Sequence, residues 1–477
     1  MRRIIHVSAI PLCLTIGVLV GAFTGKILRL NLSAYWVIWL LAVFLAIFAF
    51  FFRRLARVVL AVIAGAIIGV MRISDYISAG EYAGHYIGQD ITISGTVSSD
   101  LKILEKESSL TLEHVYLNYS TNALKSQAYV KLSGVKWRFE RSDFVVFRGK
   151  AMPGFSDYDY YLWHPQMVSW SKPDPPDLAL GLRNYLSKNI QHEVTDQSAS
   201  SLALGFLLGE KTNMPEKLSQ ELRAAGLAHV VVASGFALST LVGFAKKYLQ
   251  RLSRFAILIG SFLLIICFLS IAGFTPSLLR AGLASGLSLL AWYYGRRFHP
   301  VRSLLYVAAL SFLISPPRFF NVAWQLSFSS YAGIILIYPP LAKYFYAEKS
   351  PGFVASIVLV SIAAQLACLP LSFYYFGSFA VLGVLSNIIV TPLIPAVMLL
   401  SFIVALGVRL SPVTFVLNQL LNIQLFTIRA VGDLPWATFK LEPGSAHTLL
   451  LYIVVVFIIL FLKYRTKYDY RPLHLTR

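Results

Sequence analysis

Apolar runs too long for a soluble core constrain this chain more than any other feature. A hydrocarbon layer of about 30 Å is crossed by roughly 20 helical residues. Runs of that kind occupy 7–23, 34–52 and 55–71, and then, after a long polar interval, about 227–245, 255–272, 277–295, 303–315, 322–342, 353–376, 379–407, 413–432 and 447–462. A polytopic α-helical membrane protein with about twelve membrane segments is expected. Arg2 and Arg3 before the first run resemble a signal peptide, but two further runs follow closely, which favours a retained helix. Composition agrees, with 57% hydrophobic and 13% charged residues, against roughly 45–50% and 25% in soluble domains.

Lys and Arg outnumber Asp and Glu by 42 to 22. That surplus suits anionic lipid, positive-inside loops or a polyanionic substrate. The cations cluster in alternate loops: Arg2 and Arg3; Arg53, Arg54 and Arg57; Lys246, Lys247, Arg251 and Arg254; Arg296, Arg297 and Arg302; and the tail Lys463, Arg465, Lys467 and Arg471. Placing these inside puts both termini in the cytoplasm, the polar interval outside, and the protein in the cytoplasmic membrane. Lys26, Arg29, Arg318 and Lys440 then fall outside, singly or in pairs.

Within the polar interval the helical period gives way to short alternating or β-branched runs: 90–97 (DITISGTV), 110–119 (LTLEHVYLNY), 128–132 (AYVKL), 144–149 (FVVFRG) and 167–170 (MVSW). Bounded by Gly, Ser, Asn and Asp, they read as five strands. Five short strands in roughly a hundred residues suit a small closed barrel of the OB type, a class that binds oligonucleotides or oligosaccharides. The expected organisation is three N-terminal transmembrane helices (1–72), an inserted extracytoplasmic five-stranded OB-like β-barrel (73–176), interfacial or re-entrant helices (177–226), a transmembrane channel domain (227–463) and a basic cytoplasmic tail (464–477).

Polar residues inside the apolar runs mark candidate sites. The run LAHVVVASGFALSTL, 227–241, holds His229, Ser234 and Gly235. Either they serve a function at membrane depth, or the hydroxyls bond neighbouring backbone and the glycine permits close helix packing. A hydrolase using His229 as base and Ser234 as nucleophile is disfavoured, because five residues on one helix set them about 140° apart. On the segment 413–432 and just beyond it, Asn418, Asn422, Arg429 and Asp433 fall within about 60° of arc; this stripe either lines a water-filled path or binds a neighbouring helix. Asn387, Pro392 and Pro395 are expected to break the long 379–407 segment. Cys13, Cys267 and Cys368 have no CxxC or Cys/His spacing, so no disulfide framework or metal site is indicated, and no GxxxxGK[ST] makes the chain an ATPase.

The order of three membrane helices, an OB-like barrel and a polar-studded bundle is similar to that of the ComEC family of DNA-uptake channel proteins. SDFVVFRGKA (142–151) resembles the family's Gly-Asp strand pattern, with Ser142 in the glycine's place, and GFSDYDYYLWHPQMVSW (154–170) resembles the stretch that follows it. Gly226, Leu227, His229, Ser234 and Gly235 resemble the Gly-Leu-x-His and Ser-Gly landmarks of the membrane domain. PSLLRAGL carries Arg280, WQLSFSSYAGI carries Gln325, Leu326 and Ser327, and LPLSFYYFGSFAVLGVLSNIIVTPLIP carries Pro370, Phe376, Gly377, Asn387, Pro392 and Pro395. Phe236 and Ala237 stand where the family has a Leu-His pair, which puts any role of that second histidine in doubt.

The resemblance implies inward passage of single-stranded DNA across the cytoplasmic membrane during natural transformation. Its implied partners are the DNA, membrane lipid, a separate surface receptor, a cytoplasmic ATP-driven motor and a separate nuclease. The implied path comprises His229, Ser234, Gly235, Arg280, Gln325, Ser327, Gln365, Asn387, Asn418, Asn422 and Arg429. Arg280, placed just after Pro276 in the first turn of its helix, would meet phosphates, or else snorkel to the interface. In the barrel, a site blind to sequence needs cations interleaved with flat side chains; Tyr129, Lys131, Lys136, Trp137, Arg138, Arg141, Arg148 and Lys150 supply them, unless the aromatics fill the core and the cations are only solvated. Many members carry a further C-terminal domain with a zinc-binding HxHxDH motif. None of the nine histidines has that spacing, so no cofactor, zinc or nuclease activity is expected in a short form of the family. A transporter of a small solute or cell-envelope precursor is the competing reading.

Overall fold

A computed structural model describes residues 10–28, 36–49, 55–98, 101–103, 107–118, 127–134, 137, 139–154, 158, 160–209, 214–227, 238, 241–243, 246, 253–296, 299–347, 349–434, 437–440 and 445–468. The chain divides into two compact units, Met1–Leu178 with Leu305–Asn321, and Ala179–Leu304 with Val322–Arg477.

The first unit opens with α1 (Ile10–Leu28), α2 (Trp36–Phe48) and α3 (Leu55–Gly84). Gly17 and Gly21 on α1 meet Gly65 and Gly69 on α3, while Gly25 meets Val70 and Ile73, each glycine series stepping by four residues so that it stays on one helix face. A Cβ on Gly17 would fall against the carbonyl oxygen of Val62, and one on Gly65 against that of Leu14, well inside van der Waals contact. Only hydrogen on Cα lets two backbones approach so closely, as small residues do where helices meet in a membrane. Arg72 of α3 donates through Nε to the carbonyl of Leu313 at 3.0 Å and so caps the C-terminal end of α9 (Pro300–Ile314).

The barrel follows. Its strands are β1 (Asp90–Val97), β2 (Lys102–Ile103), β3 (Glu107–Leu117), β4 (Ala128–Ser133), β5 (Phe144–Pro153), β6 (Tyr160–Trp163) and β7 (Gln166–Ser171). Pairing runs β1-β3-β4-β6-β5 and returns from β5 to β1, which closes a five-strand ring with β4 and β6 parallel. Alternate residues point inward, and Ile91, Ile93, Leu110, Leu112, Val130, Leu132, Val145, Phe147, Tyr160 and Leu162 fill the interior.

The strand that closes the ring is not the expected 167–170 run. That run lies in β7, which pairs with β5 outside the ring and is exposed along its whole length. The closing strand is β6, YYLW, where Tyr160 and Leu162 point in and Tyr161 and Trp163 point out. Four consecutive aromatic or apolar residues show no polar alternation, so the period of two is invisible in them.

The second unit contains α4 (Leu178–Glu193), α5 (Gln197–Leu208), α6 (Glu216–Ala224), α7 (Arg254–Ala272), α8 (Pro276–Tyr293), α11 (Val322–Leu336), α12 (Tyr338–Tyr346), α13 (Phe353–Phe376), α14 (Gly383–Ala405), α15 (Ser411–Gly432) and α16 (Ser445–Thr466). A short helix, α10 (Pro316–Phe319), belongs to the first unit. The main core of the second unit joins α4, α5 and α6 to α14 and α15. Ten of the twelve residues of α5 are buried, so this helix is part of the core.

Among the described residues, six helices are long and apolar enough to cross a membrane: Ile10–Leu28, Ala56–Ile77, Arg254–Ala272, Phe353–Phe376, Gly383–Ala405 and Ala446–Thr466. The protein is a multi-pass membrane protein with an OB-like barrel. The difference from about twelve segments has local causes. The 322–342 run is divided at Ile337, ahead of Pro339 and Pro340, into α11 and α12. The 303–315 run belongs to a helix of 15 residues, and most of 227–245 lies outside the described residues.

Candidate functional site

Two groups of polar side chains stand out, one within the helices of the second unit and one on the barrel. In the first, Thr275 caps α8 by accepting from the Leu278 amide at 3.4 Å, and Pro276 takes the first helical position, where its missing N–H costs nothing. This cap puts Arg280 at the start of the second turn, two residues past Leu278, the last amide without an intrahelical partner, and not in the first turn as expected. Its side chain turns instead to α11. Arg280 Nε donates to Ser327 Oγ at 2.8 Å, and the guanidinium lies 5.0 Å from the ring centroid of Tyr331. Ser327 and Tyr331 are four residues apart and share a helix face, so one turn of α11 supplies both contacts. Among the described residues no carboxylate pairs with Arg280, and its charge is held by neutral groups.

Ser330 bonds the Ser327 carbonyl within α11, and Gln325 and Ser329 turn to α13. Tyr375 Oη donates to Gln325 Oε1 at 3.0 Å, Ser329 Oγ donates to the Ala367 carbonyl, and Gly333 presses against Ala363 and Ala367. Gln365 of α13 reaches Gly383 at the start of α14; a Cβ on Gly383 would crowd its Nε2. Gly226, in the left-handed region at φ +68°, packs its Cα on the same Gly383, where a Cβ would come within 2.8 Å of the Gly383 Cα. Three segments therefore converge beside the family-like landmark. His229, Ser234 and Gly235 themselves lie outside the described residues.

The expected break in 379–407 does not occur, since α14 is continuous through Pro392 and Pro395. Each proline removes the intrahelical partner of the carbonyl four residues before it, here Ile388 and Thr391, and the helix runs on past both. Gln424 of α15 is fully buried and donates through Nε2 to the Val390 carbonyl at 3.3 Å. Asn387 is buried too, and its Oδ1 accepts from Thr391 Oγ1 at 3.4 Å. Gln424 is a further buried polar residue of α15. Its signal was an amide on the face of Leu417, Leu421, Leu425 and Ile428. The stripe is on the other side of the helix: Asn422, Arg429 and Asp433 are exposed and Asn418 half-buried. Arg429 Nε lies 3.9 Å from Oε2 of Glu221, a buried carboxylate on α6.

On the barrel, the eight expected residues separate into two groups. Lys136 and Arg138 lie outside the described residues. Nearby, Trp137 stacks on Phe139 and donates its indole N–H to the Ser133 carbonyl, and Arg141 lies 3.9 Å from Asp177. The others lie on the outward face of β4, β6 and β5. Tyr129 and Lys131 alternate with the buried core residues of β4, while Arg148 and Lys150 are exposed on β5. Between them β6 contributes Tyr161 and Trp163, which the sequence reading did not single out. Ring centroids are 5.9 Å apart for Tyr129 and Tyr161 and 6.0 Å for Tyr161 and Trp163, and Tyr158 adds a fourth ring 5.3 Å from Tyr129. Lys131 Nζ lies 4.2 Å from the Trp163 centroid and 2.6 Å from Oε2 of Glu107. His164 Nε2 is 3.3 Å from Oε1 of the same carboxylate.

The hydrogen bond from Lys131 holds the Glu107 carboxyl below the ordinary carboxylate range, and Glu107 in turn raises the Lys131 ammonium. A carboxyl lowered by folding stabilises above its unfolded value of about 4.3, and that contribution is lost as pH falls through the lower folded value. A raised ammonium contributes fully below about 10.4 and is lost as pH rises through its higher folded value. Barrel stability from this pair should therefore be flat across neutral pH, and Glu107→Gln should remove its acid limb. Circular-dichroism melts of the detergent-solubilised chain at stepped pH test this; identical acid limbs in both proteins would show that the pair contributes nothing.

Comparison with known proteins decides the family. The competence-protein family model matches residues 206–466, more than half of the 477-residue chain. The chain belongs to the competence-protein family. The matched part of this competence-family protein runs from within α5 to the end of α16 and includes Arg280, Ser327, Gln365 and Asn387, whereas the barrel lies before it. ComE operon protein 3 of Bacillus subtilis (strain 168) is 22% identical over 319 residues, covering 60% of this chain and 40% of that relative. The chain thus spans less than half the length of the curated relative it matches. No solved structure matches. The ComEC-family resemblance read from the sequence blocks is accordingly shown.

Proposed function

We propose that this protein forms the passage by which single-stranded DNA crosses the cytoplasmic membrane inward, with the barrel receiving the strand outside. The observation that carries this reading is the family match over 206–466, a region that holds the half-buried Arg280 on neutral partners. A cation that has no carboxylate partner among the described residues is suited to a passing anion, and polar residues within apolar helices mark pathways. Both termini lie in the cytoplasm, as the alternate basic loops favour, and about twelve segments cross or enter the membrane.

Each nucleotide brings one negative charge, and an inside-negative potential opposes it by about 2.3 kcal/mol per 100 mV. Entry therefore requires coupling to a cytoplasmic ATP-driven motor, with a separate receptor and nuclease outside. The test is uptake of labelled DNA by cells from which the gene is deleted and then restored. Transformation should be abolished and recovered. Normal transformation in the deleted strain would overturn the reading and leave a transporter of small solutes.

A further inference from the structure

We infer that the outward face formed by β4, β6 and β5 is a base-stacking platform for a single-stranded polynucleotide, and that Glu107 restrains its central lysine. This rests on the proposed DNA passage and adds a site, its ligand chemistry and a controlling residue. The middle of the face is aromatic. Tyr129, Tyr161 and Trp163 form a row with centroids 5.9 and 6.0 Å apart, and Trp163 is 50% exposed although it stands in the wall of a closed barrel. Its ring is half-exposed, with Lys131 Nζ over it, and does not fill the core, which Tyr160 and Leu162 occupy from the other side of the same strand.

Cations flank the row on both sides. Lys131 stands on β4, where the parallel register pairs it with Trp163. On β5 the register pairs Met152 with Tyr161 and Ala151 with Leu162, and one further step sets exposed Lys150 across from Trp163. Charge on two strands with rings between them is the arrangement that holds a phosphate backbone while bases lie flat on aromatic faces. A neutral saccharide would need the rings but would gain nothing from the paired cations, so the charge points to the polynucleotide.

Lys131 is not free in this structure, because its Nζ is bound by Glu107. The carboxylate both occupies the ammonium and repels a phosphate approaching it. Removing that charge while keeping the side-chain shape should release Lys131 toward the ligand. Glu107→Gln is therefore expected to tighten binding, a sign opposite to that expected for loss of a contact residue.

The test uses the full chain in nanodiscs and measures affinity for a labelled oligothymidylate and for an abasic phosphodiester of equal length, over a range of salt. The base-bearing strand should bind about tenfold more tightly than the abasic one, since each stacked base contributes a factor of that order. Trp163→Ala should abolish most of this difference, and Trp163→Phe should keep it. Glu107→Gln should tighten both ligands and steepen the salt dependence by roughly one phosphate contact. Equal affinity for the two strands, or a Trp163→Ala protein that still discriminates, overturns the platform, as does a chito-oligosaccharide that displaces the DNA at lower concentration than unlabelled oligothymidylate. Unchanged binding by Glu107→Gln overturns the role of the carboxylate. DNA uptake by cells carrying the same variants separates the two levels: lost discrimination with intact uptake removes the platform alone, whereas uptake independent of the whole protein removes the passage as well.

Discussion

Gly65→Ala is expected to destabilise the N-terminal helices by about 1–3 kcal/mol, although the same change in an unobstructed helix is stabilising. Alanine is favoured over glycine in a helix by about 1 kcal/mol, so the sign at any one position depends on what the new methyl meets. At Gly65 it meets the carbonyl oxygen of Leu14, with Val18 and Gly17 backbone atoms close behind. Backbone cannot rotate aside as a side chain can, so α1 and α3 must separate. Because Gly17, Gly21 and Gly69 lie in the same seam, separation loosens contacts along its length. Gly65→Val should cost more still. Gly181 on α4 supplies the control, since nothing stands within 4 Å of a Cβ built there, and Gly181→Ala should be neutral or stabilising. Thermal unfolding of the three variants in one detergent measures this. A Gly65→Ala protein that melts with Gly181→Ala would show that the close crossing contributes no stability.

The glycine seam was readable in the sequence as steps of four, Gly17-Gly21-Gly25 and Gly65-Gly69, yet nothing local indicates that the two series face each other. Other features divide in the same way. Strands β1, β3, β4 and β5 are legible because their alternation reflects a barrel wall with one dry side. Strand β6 is not, because its outward residues, Tyr161 and Trp163, are aromatic rather than polar and do not contrast with the inward Tyr160 and Leu162, and its parallel partner β4 is not its neighbour in sequence. The prolines of α14 suggest a break, whereas the helix runs on through both, and the buried Gln424 that bonds the Val390 carbonyl comes from another helix. On α15 the period of the polar stripe is correct, but which side packs was decided by Leu417, Leu421 and Ile428 meeting the core. Lys131 is legible as a cation, whereas its bond to Glu107 depends on how β3 and β4 are registered.

Replacing Arg280 with methionine is expected to lower DNA uptake by at least tenfold without lowering the stability of the protein. A positive charge among apolar helices costs about 2.5–3.5 kcal/mol on insertion scales, and its bond to the Ser327 hydroxyl contributes about 1.5–3 kcal/mol in return. These terms nearly cancel. A residue kept only for packing would not stand at such a break-even position, and methionine fills similar space without the charge. The expected signature is therefore a melting temperature equal to or above that of the unsubstituted protein, together with lost uptake at normal protein levels. Arg280→Lys should lie between the two, since it keeps the charge but loses the planar group that faces Tyr331 and the Nε donor that reaches Ser327. Ser327→Ala should reduce uptake less than Arg280→Met, because it frees the guanidinium without removing it. Labelled-DNA uptake and detergent melts of these three variants form one experiment. Full uptake by the methionine protein would remove Arg280 from the path of the strand, whereas a large fall in melting temperature would mark it as a structural tie between α8 and α11.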